Sequence, residues 1–389
     1  MCRLLEARWL AAVAISSVAA CGLLAPFDEP APGIDAGTAG DVDAGRADAA
    51  GAEAGLDAAL AEAGVDAALD AGAVPDAAPA CAEVVGGLAR GELSAEVGVL
   101  AVERGRVVLG EPTFGLAVVD VTDPAAPLLE REIATGLEEA GEELRDIALD
   151  GDLALVTQLG AGLAVVDLAA GSYDLAQPVP ADEASARGVA LRGELAVVAW
   201  GDAGLVYFDP DPDGPVMAPR ILNLGCGAVE VALGPDHAYL GCLADLRVVS
   251  LPPDDLEEVG RVAVGEPEDD ARDVALGPDG AHAYVAVDPI GLVVVSVADP
   301  TGPEVVGVGA TTSVPGPKHL ALWGDHAVVA SVTVLEIYDV SVPEAPVLAA
   351  TYEPDPPATA SSVAVAGDLA YVAASEGGLE ILDLGCLLR

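Results

Sequence analysis

The chain is poor in aromatic residues, in bases and in long apolar runs. Aromatics make up 3% of its 389 residues, so any core must pack through aliphatic side chains. Lys and Arg number 16 against 64 acids, a formal charge of −48. Such a surface repels phosphate and excludes nucleic acid as a partner. No run approaches the roughly 20 apolar residues of a bilayer-spanning helix, which excludes a multi-span membrane protein. Yet 52% of the residues are hydrophobic, far more than a wholly disordered acidic chain would carry. The 45 Gly show no three-residue period, so collagen is excluded too.

What is present begins with an address. Arg3 and Arg8 precede an apolar stretch from Trp9 to Ala20. Its length suits the core of a signal peptide and is too short to cross a bilayer. The stretch ends in Val18-Ala19-Ala20-Cys21, which resembles the lipobox of bacterial lipoproteins. That resemblance implies cleavage after residue 20, a diacylglycerol on the Cys21 thiol and acylation of the new amine. Several acyl chains anchor firmly where one would be marginal. Gly22 follows Cys21, and not the Asp that favours inner-membrane retention in enteric bacteria. The expected location is therefore the outer membrane or cell surface of a Gram-negative bacterium, reached by export and held through the lipid anchor.

Residues 21–80 hold Ala, Gly, Asp and Glu, with Arg46 as the single base. They carry too little apolar surface to offset the entropy of ordering. They predict a disordered tether, extended by like charge.

After residue 81 one phrase recurs: two short apolar runs around a tight turn, then a Val-rich run ending in a small polar residue. The ends are Asp120, Asp167, Asp209, Ser250, Ser296, Asp339 and Asp383. Seven units of about 44 residues follow from those positions. Residues 145–168 show the pattern: three runs rich in Val, Leu and Ile, split by turn formers. The third run is continuously apolar, as in a strand covered on both faces. A weaker fourth strand follows a proline, as at 127–134. Four short strands per unit is the period of a β-propeller blade; a β-solenoid is the rival, though its repeats are usually shorter. The fold class is all-β, a seven-bladed propeller of four-stranded antiparallel blades over 81–389.

GLAVVDVTDPAAP at 115–127, GLVVVSVADPTGP at 291–303 and LEIYDVSVPEAP at 335–346 resemble the LVIVD repeat, a family of propeller-type repeats in bacterial surface proteins. Units 2, 3 and 4 lose its Asp-Pro-x-x-Pro. The resemblance implies fold and location rather than chemistry.

Repeat phase also organises the cysteines left after lipidation: Cys81, Cys226, Cys242 and Cys386. The last unit lacks its fourth strand, and Ala82-Glu83-Val84-Val85 resembles a fourth strand with no third before it. The N-terminal strand should complete the last blade and close the ring. A Cys81–Cys386 disulfide would then replace the missing turn. Cys226 and Cys242 flank a hairpin of blade 4 near cross-strand register. Both pairings suit an exported protein.

Candidate chemistry is sparse. First strands open with charge at Arg145, Asp146, Arg187, Glu230, Arg272, Asp273, Lys318 and His319, a position that rims the central channel. Two readings stand: a polar ring that binds a ligand, or a set of ion pairs between blades. The second is the plainer, because charge near a symmetric axis must be paired wherever it is desolvated. Asp209, Asp211 and Asp213 precede Gly214 in the opening pattern of a calcium loop, but Arg220 stands where a bidentate Glu is needed. An acidic turn is the alternative. The histidines His237, His282, His319 and His326 are single, and no nucleophile elbow, phosphate loop or CxxC is present. No cofactor is implied, calcium aside. Loops at 110–114 and 200–202 and the rim are the expected contacts of a monomeric binding or scaffolding module for an unidentified protein or glycan. An extracytoplasmic hydrolase or lyase with its site at the pore mouth is the competing reading.

Overall fold

A computed structural model describes residues 84–93, 97–111, 115–135, 144–160, 162–176, 185–208, 220–252, 255–313, 315–354 and 359–388. They form seven separate four-stranded antiparallel sheets, which rules out the solenoid. In blade 2 the apolar runs become strands at Leu144–Asp150, Leu153–Gln158 and Gly162–Asp167, with Ser172–Ala176 outside them. The turn between its first two strands needs Gly151, whose φ of 65° resists an L side chain.

The ring closes across the chain ends. Blade 7 is built from Ser362–Ala366, Leu369–Ala373 and Leu379–Asp383, and its outer strand is Val84–Leu88 from the other end of the propeller. Gly87 sits opposite Glu380 and Leu88 opposite Leu379. The first strands neighbour one another around the ring, blade 7 against blade 1 included.

Burial follows the sequence pattern. Leu292, Val293, Val294 and Val295 on the third strand of blade 5 are all 0% exposed, as a run covered on both faces must be. The apolar residues do not make one core. They divide into seven clusters, one at each contact between adjacent blades. Stability is thus a ring of similar interfaces, and it needs both chain ends in place.

The Asp-Pro turn after the third strand is one of the joints between blades. Asp120 Oδ1 accepts from the Thr122 amide at 2.8 Å and its hydroxyl at 2.7 Å. Asp299 does the same for Thr301. These bonds hold both carboxyls below their ordinary pKa. The turn so fixed presses a proline carbonyl onto the preceding blade's outer strand. A Cβ added at Gly260 would lie 2.2 Å from Pro300 O, and one at Gly307 would lie 2.1 Å from Pro343 O. Blade 2 has no proline in this turn, and Arg131 of blade 1 donates to the Leu168 and Ala169 carbonyls at 3.1 and 3.0 Å instead.

Candidate functional site

Each first strand enters its blade through an irregularity. The pairing skips one residue between Leu144 and Asp146, Ala228 and Glu230, Ala271 and Asp273, and Pro317 and His319. Blade 3 does likewise: Arg187 N–H donates to Ala199 O at 3.0 Å while Ala199 N–H donates to Gly188 O at 2.9 Å. Two residues facing one is a bulge, which re-aims a side chain. The result is a mouth of about 380 Å³ that takes one such residue from every blade: Gly98, Arg145, Arg187, Val229, Arg272, Lys318 and Ser361. Repeat phase therefore set these side chains at one end of the channel.

The next position on each first strand forms the floor. Asp146 accepts from its neighbour Ile147 N–H at 2.7 Å and, across the blade boundary, from Val189 N–H at 2.7 Å. Asp273 repeats the arrangement with Val274 and Leu320, both at 2.7 Å. Each carboxylate thereby fastens its blade to a neighbour. His319 Nδ1 lies 3.6 Å from Asp273 Oδ2.

Blade 3 has Gly188 at this position, and blade 4 fills the space. A Cβ at Gly188 would meet Glu230 Oε1 at 2.1 Å. Glu230 reaches through that gap to hydrogen-bond Asp146, while accepting from Val231 N–H at 2.9 Å. Burial, with Asp146 and Asp273 close by, holds the Glu230 carboxyl well above its ordinary pKa. Burial likewise pushes Asp146 up to about 6, against the pull of Val189 N–H and His319. The two carboxyls thus face each other across blade 3, and burial favours the protonated form of both.

The rim cations divide. Arg272 pairs within its own blade, with Asp270 at 3.2 Å and Asp288 at 3.6 Å, and Arg145 is also engaged. Among the described residues Arg187 and Lys318 form no ion pair, and the buried Nε of Arg187 has no partner. Sequence alone makes the rim one set, of ligand contacts or of ion pairs. The structure separates an acidic floor that joins blades from a cationic rim that is only partly paired.

Cys226 and Cys242 form a disulfide with Cα atoms 5.7 Å apart, and Cys242 faces Ala228 across the hairpin. Cys386 is disulfide-bonded. Cys21, Cys81, Asp209, Asp211 and Asp213 lie outside the described residues, as does 112–114 of the first contact loop. In the second loop Trp200 is 0% exposed, sealed between blades 2 and 3, so it offers no contact and Asp202 alone is open to solvent. His237, His282 and His326 begin second strands, away from the rim. Among the described residues no group of three His, Cys, Asp or Glu could hold a metal, and no helix is long and apolar enough to cross a membrane.

A family model described as the LVIVD repeat matches residues 113–135, 269–311 and 357–384. The chain carries LVIVD repeats. The matched segments fall in blades 1, 5 and 7, and the first two hold the Asp-Pro turns. Two solved structures share the fold. The Myceliophteria thermophila Cps50 (Swd1) β-propeller domain is 13% identical with a TM-score of 0.60, over 75% of this chain and 96% of its own. The computationally designed Ika8 protein is 10% identical with a TM-score of 0.52, over 74% and 96%. No curated protein sequence matches the chain. Repeat phase could locate the rim; the Gly188–Glu230–Asp146 bridge had no local signal, because it spans three blades.

Proposed function

We propose that this chain is an exported lipoprotein, anchored through Cys21 and tethered by residues 21–80, whose propeller binds a partner at its channel mouth. The observation that carries the reading is the mouth itself. In a chain of charge −48, four cations from four blades are turned into one recess of about 380 Å³, within the size range of small-ligand sites. A Cys81–Cys386 disulfide would fasten the ring beside the tether. The lipobox, the solvated acidic linker and a rigid ring of loops suit a module held off an outer membrane to contact a protein, a glycan or a smaller ligand.

One observation favours a second reading, an extracytoplasmic hydrolase or lyase. Asp146 and Glu230 are both buried carboxyls held above the ordinary carboxylate range at the channel, as acid–base groups often are. Against it, both oxygens of Asp146 already accept backbone N–H groups, which leaves the carboxylate poorly placed to take a proton from a substrate.

Radiolabelled palmitate should enter the wild type and not Cys21→Ala; equal labelling removes the anchor. The full chain in mild detergent should capture an envelope ligand that Arg187→Gln and Lys318→Gln fail to hold. Capture indifferent to both variants removes the mouth as the binding site.

A further inference from the structure

The geometry points to a small ligand bearing an oxyanion (a carboxylate, sulfate or phosphate group) in the channel mouth, with Arg187 as its anchor and Lys318 as a second cation. This rests on the binding reading above and names the ligand's chemistry.

Three observations converge on Arg187. The first is its isolation. Arg106 is bound to Asp152 and Arg131 to two carbonyls. Arg192 donates to the Gly234 and Pro235 carbonyls. Arg247 also has an unpartnered Nε, but its Nη atoms engage Glu258, Asp245 and the Leu224 carbonyl. Arg187 has a buried Nε without a partner and no side-chain bond elsewhere among the described residues. A buried charged donor left unsatisfied is costly, and a guanidinium fork matches an oxyanion in bidentate fashion.

The second observation is its placement. The Thr157 hydroxyl of blade 2 donates to the Arg187 carbonyl, and Arg187 N–H is held by Ala199 O. The backbone is pinned from two blades while the side chain stays uncommitted, which is how a binding group is preorganised. Third, the acids beneath cannot quench it cheaply. Asp146 and Asp273 each already accept two backbone N–H groups. Lys318 is exposed at the same mouth, while Val229 and Gly98 are uncharged and leave space.

Calorimetry on the full chain in non-ionic detergent and low-salt buffer tests this, with sodium sulfate, sodium phosphate, glucuronate and neutral glucose as probes. At least one oxyanion should bind one to one at millimolar concentration or below, and glucose should not. Arg187→Gln should weaken binding at least tenfold and Arg187→Lys less. Lys318→Gln should weaken it to a smaller degree, and Arg131→Gln should leave it unchanged, each variant first shown to fold by circular dichroism. No oxyanion binding, equal binding by Arg187→Gln, or glucose binding as well as glucuronate overturns the inference. If no oxyanion binds but Arg187→Gln still loses an envelope ligand, this inference falls and the binding reading stands. If capture is also unaffected, both fall.

Discussion

The cleft between blades 1 and 2, at the far end of the first strands, has a volume of about 400 Å³ and is lined by Arg104, Arg106 and Arg131. The channel mouth has about 380 Å³ and is lined by Arg145, Arg187, Arg272 and Lys318. Volume barely separates the two, and both gather bases from a chain that has few. What separates them is commitment. In the cleft Arg106 is held by Asp152 at 3.0 Å, Arg104 by Glu103 at 3.3 Å and Arg131 by the turn carbonyls of blade 2. Arg106 and Arg131 are thereby spent on joining blades 1 and 2, and Arg104 on its own hairpin. At the mouth Arg187 and Lys318 form no ion pair among the described residues. In a chain with 16 bases, a cation left without a partner is more informative than a basic recess.

The largest expected effect tests the floor under the mouth. Gly188→Ala drives a methyl into the Glu230 carboxyl and should cost about 3 kcal/mol in denaturant unfolding. Adding Glu230→Ala should recover part of that loss, since the two changes share one contact. A well-tolerated Gly188→Ala would show that the three-blade bridge is dispensable.

A smaller effect separates the two basic regions directly. Arg131→Gln removes two hydrogen bonds between blades and should cost about 1 kcal/mol. Arg187→Gln removes none and should stay within about 0.5 kcal/mol of wild type. Equal losses would erase the contrast between a committed and an uncommitted cation. The reverse order would move the ligand site to the cleft.

The smallest effect is on pH dependence. Asp146 and Glu230 are held above their unfolded values, so the folded state keeps protons that the unfolded chain releases. That contribution is fully present below the unfolded carboxyl range and is lost as pH rises through about 6, the value for Asp146. Melting temperature should therefore fall between pH 5 and pH 8 by roughly 2 °C or more, and Glu230→Gln should flatten the slope. An unchanged slope would show that the Glu230 carboxyl makes no such contribution.

Much of this architecture was legible along the chain because its signals are local. Strands of the LALV and LAVV kind, with Gly and Asp between them, set their own turns, and seven copies gave the period. Counting phase from Asp120 to Asp383 also exposed the missing last strand, which Val84–Leu88 supplies. Phase further placed Arg145, Arg187, Arg272 and Lys318 at one height. It could not say which of them had partners. Arg272 finds Asp288 across a hairpin, and the Arg187 side chain finds no ion-pair partner among the described residues, a difference that depends on side-chain reach. Trp200 misled for the same reason: its loop position suggested exposure, while the neighbouring blade covers it.

By itself the sequence determined the acidic composition ahead of residue 81, the sevenfold β pattern and the Asp-Pro turns, all of which arise within a few residues. Tertiary structure decided what those turns press against, why Gly188 must lack a side chain, and which rim cation stays unpaired. Those contacts join residues about 40 positions apart that meet only when the ring closes. Their energies depend on burial and hydrogen bonding between blades, which no single unit possesses.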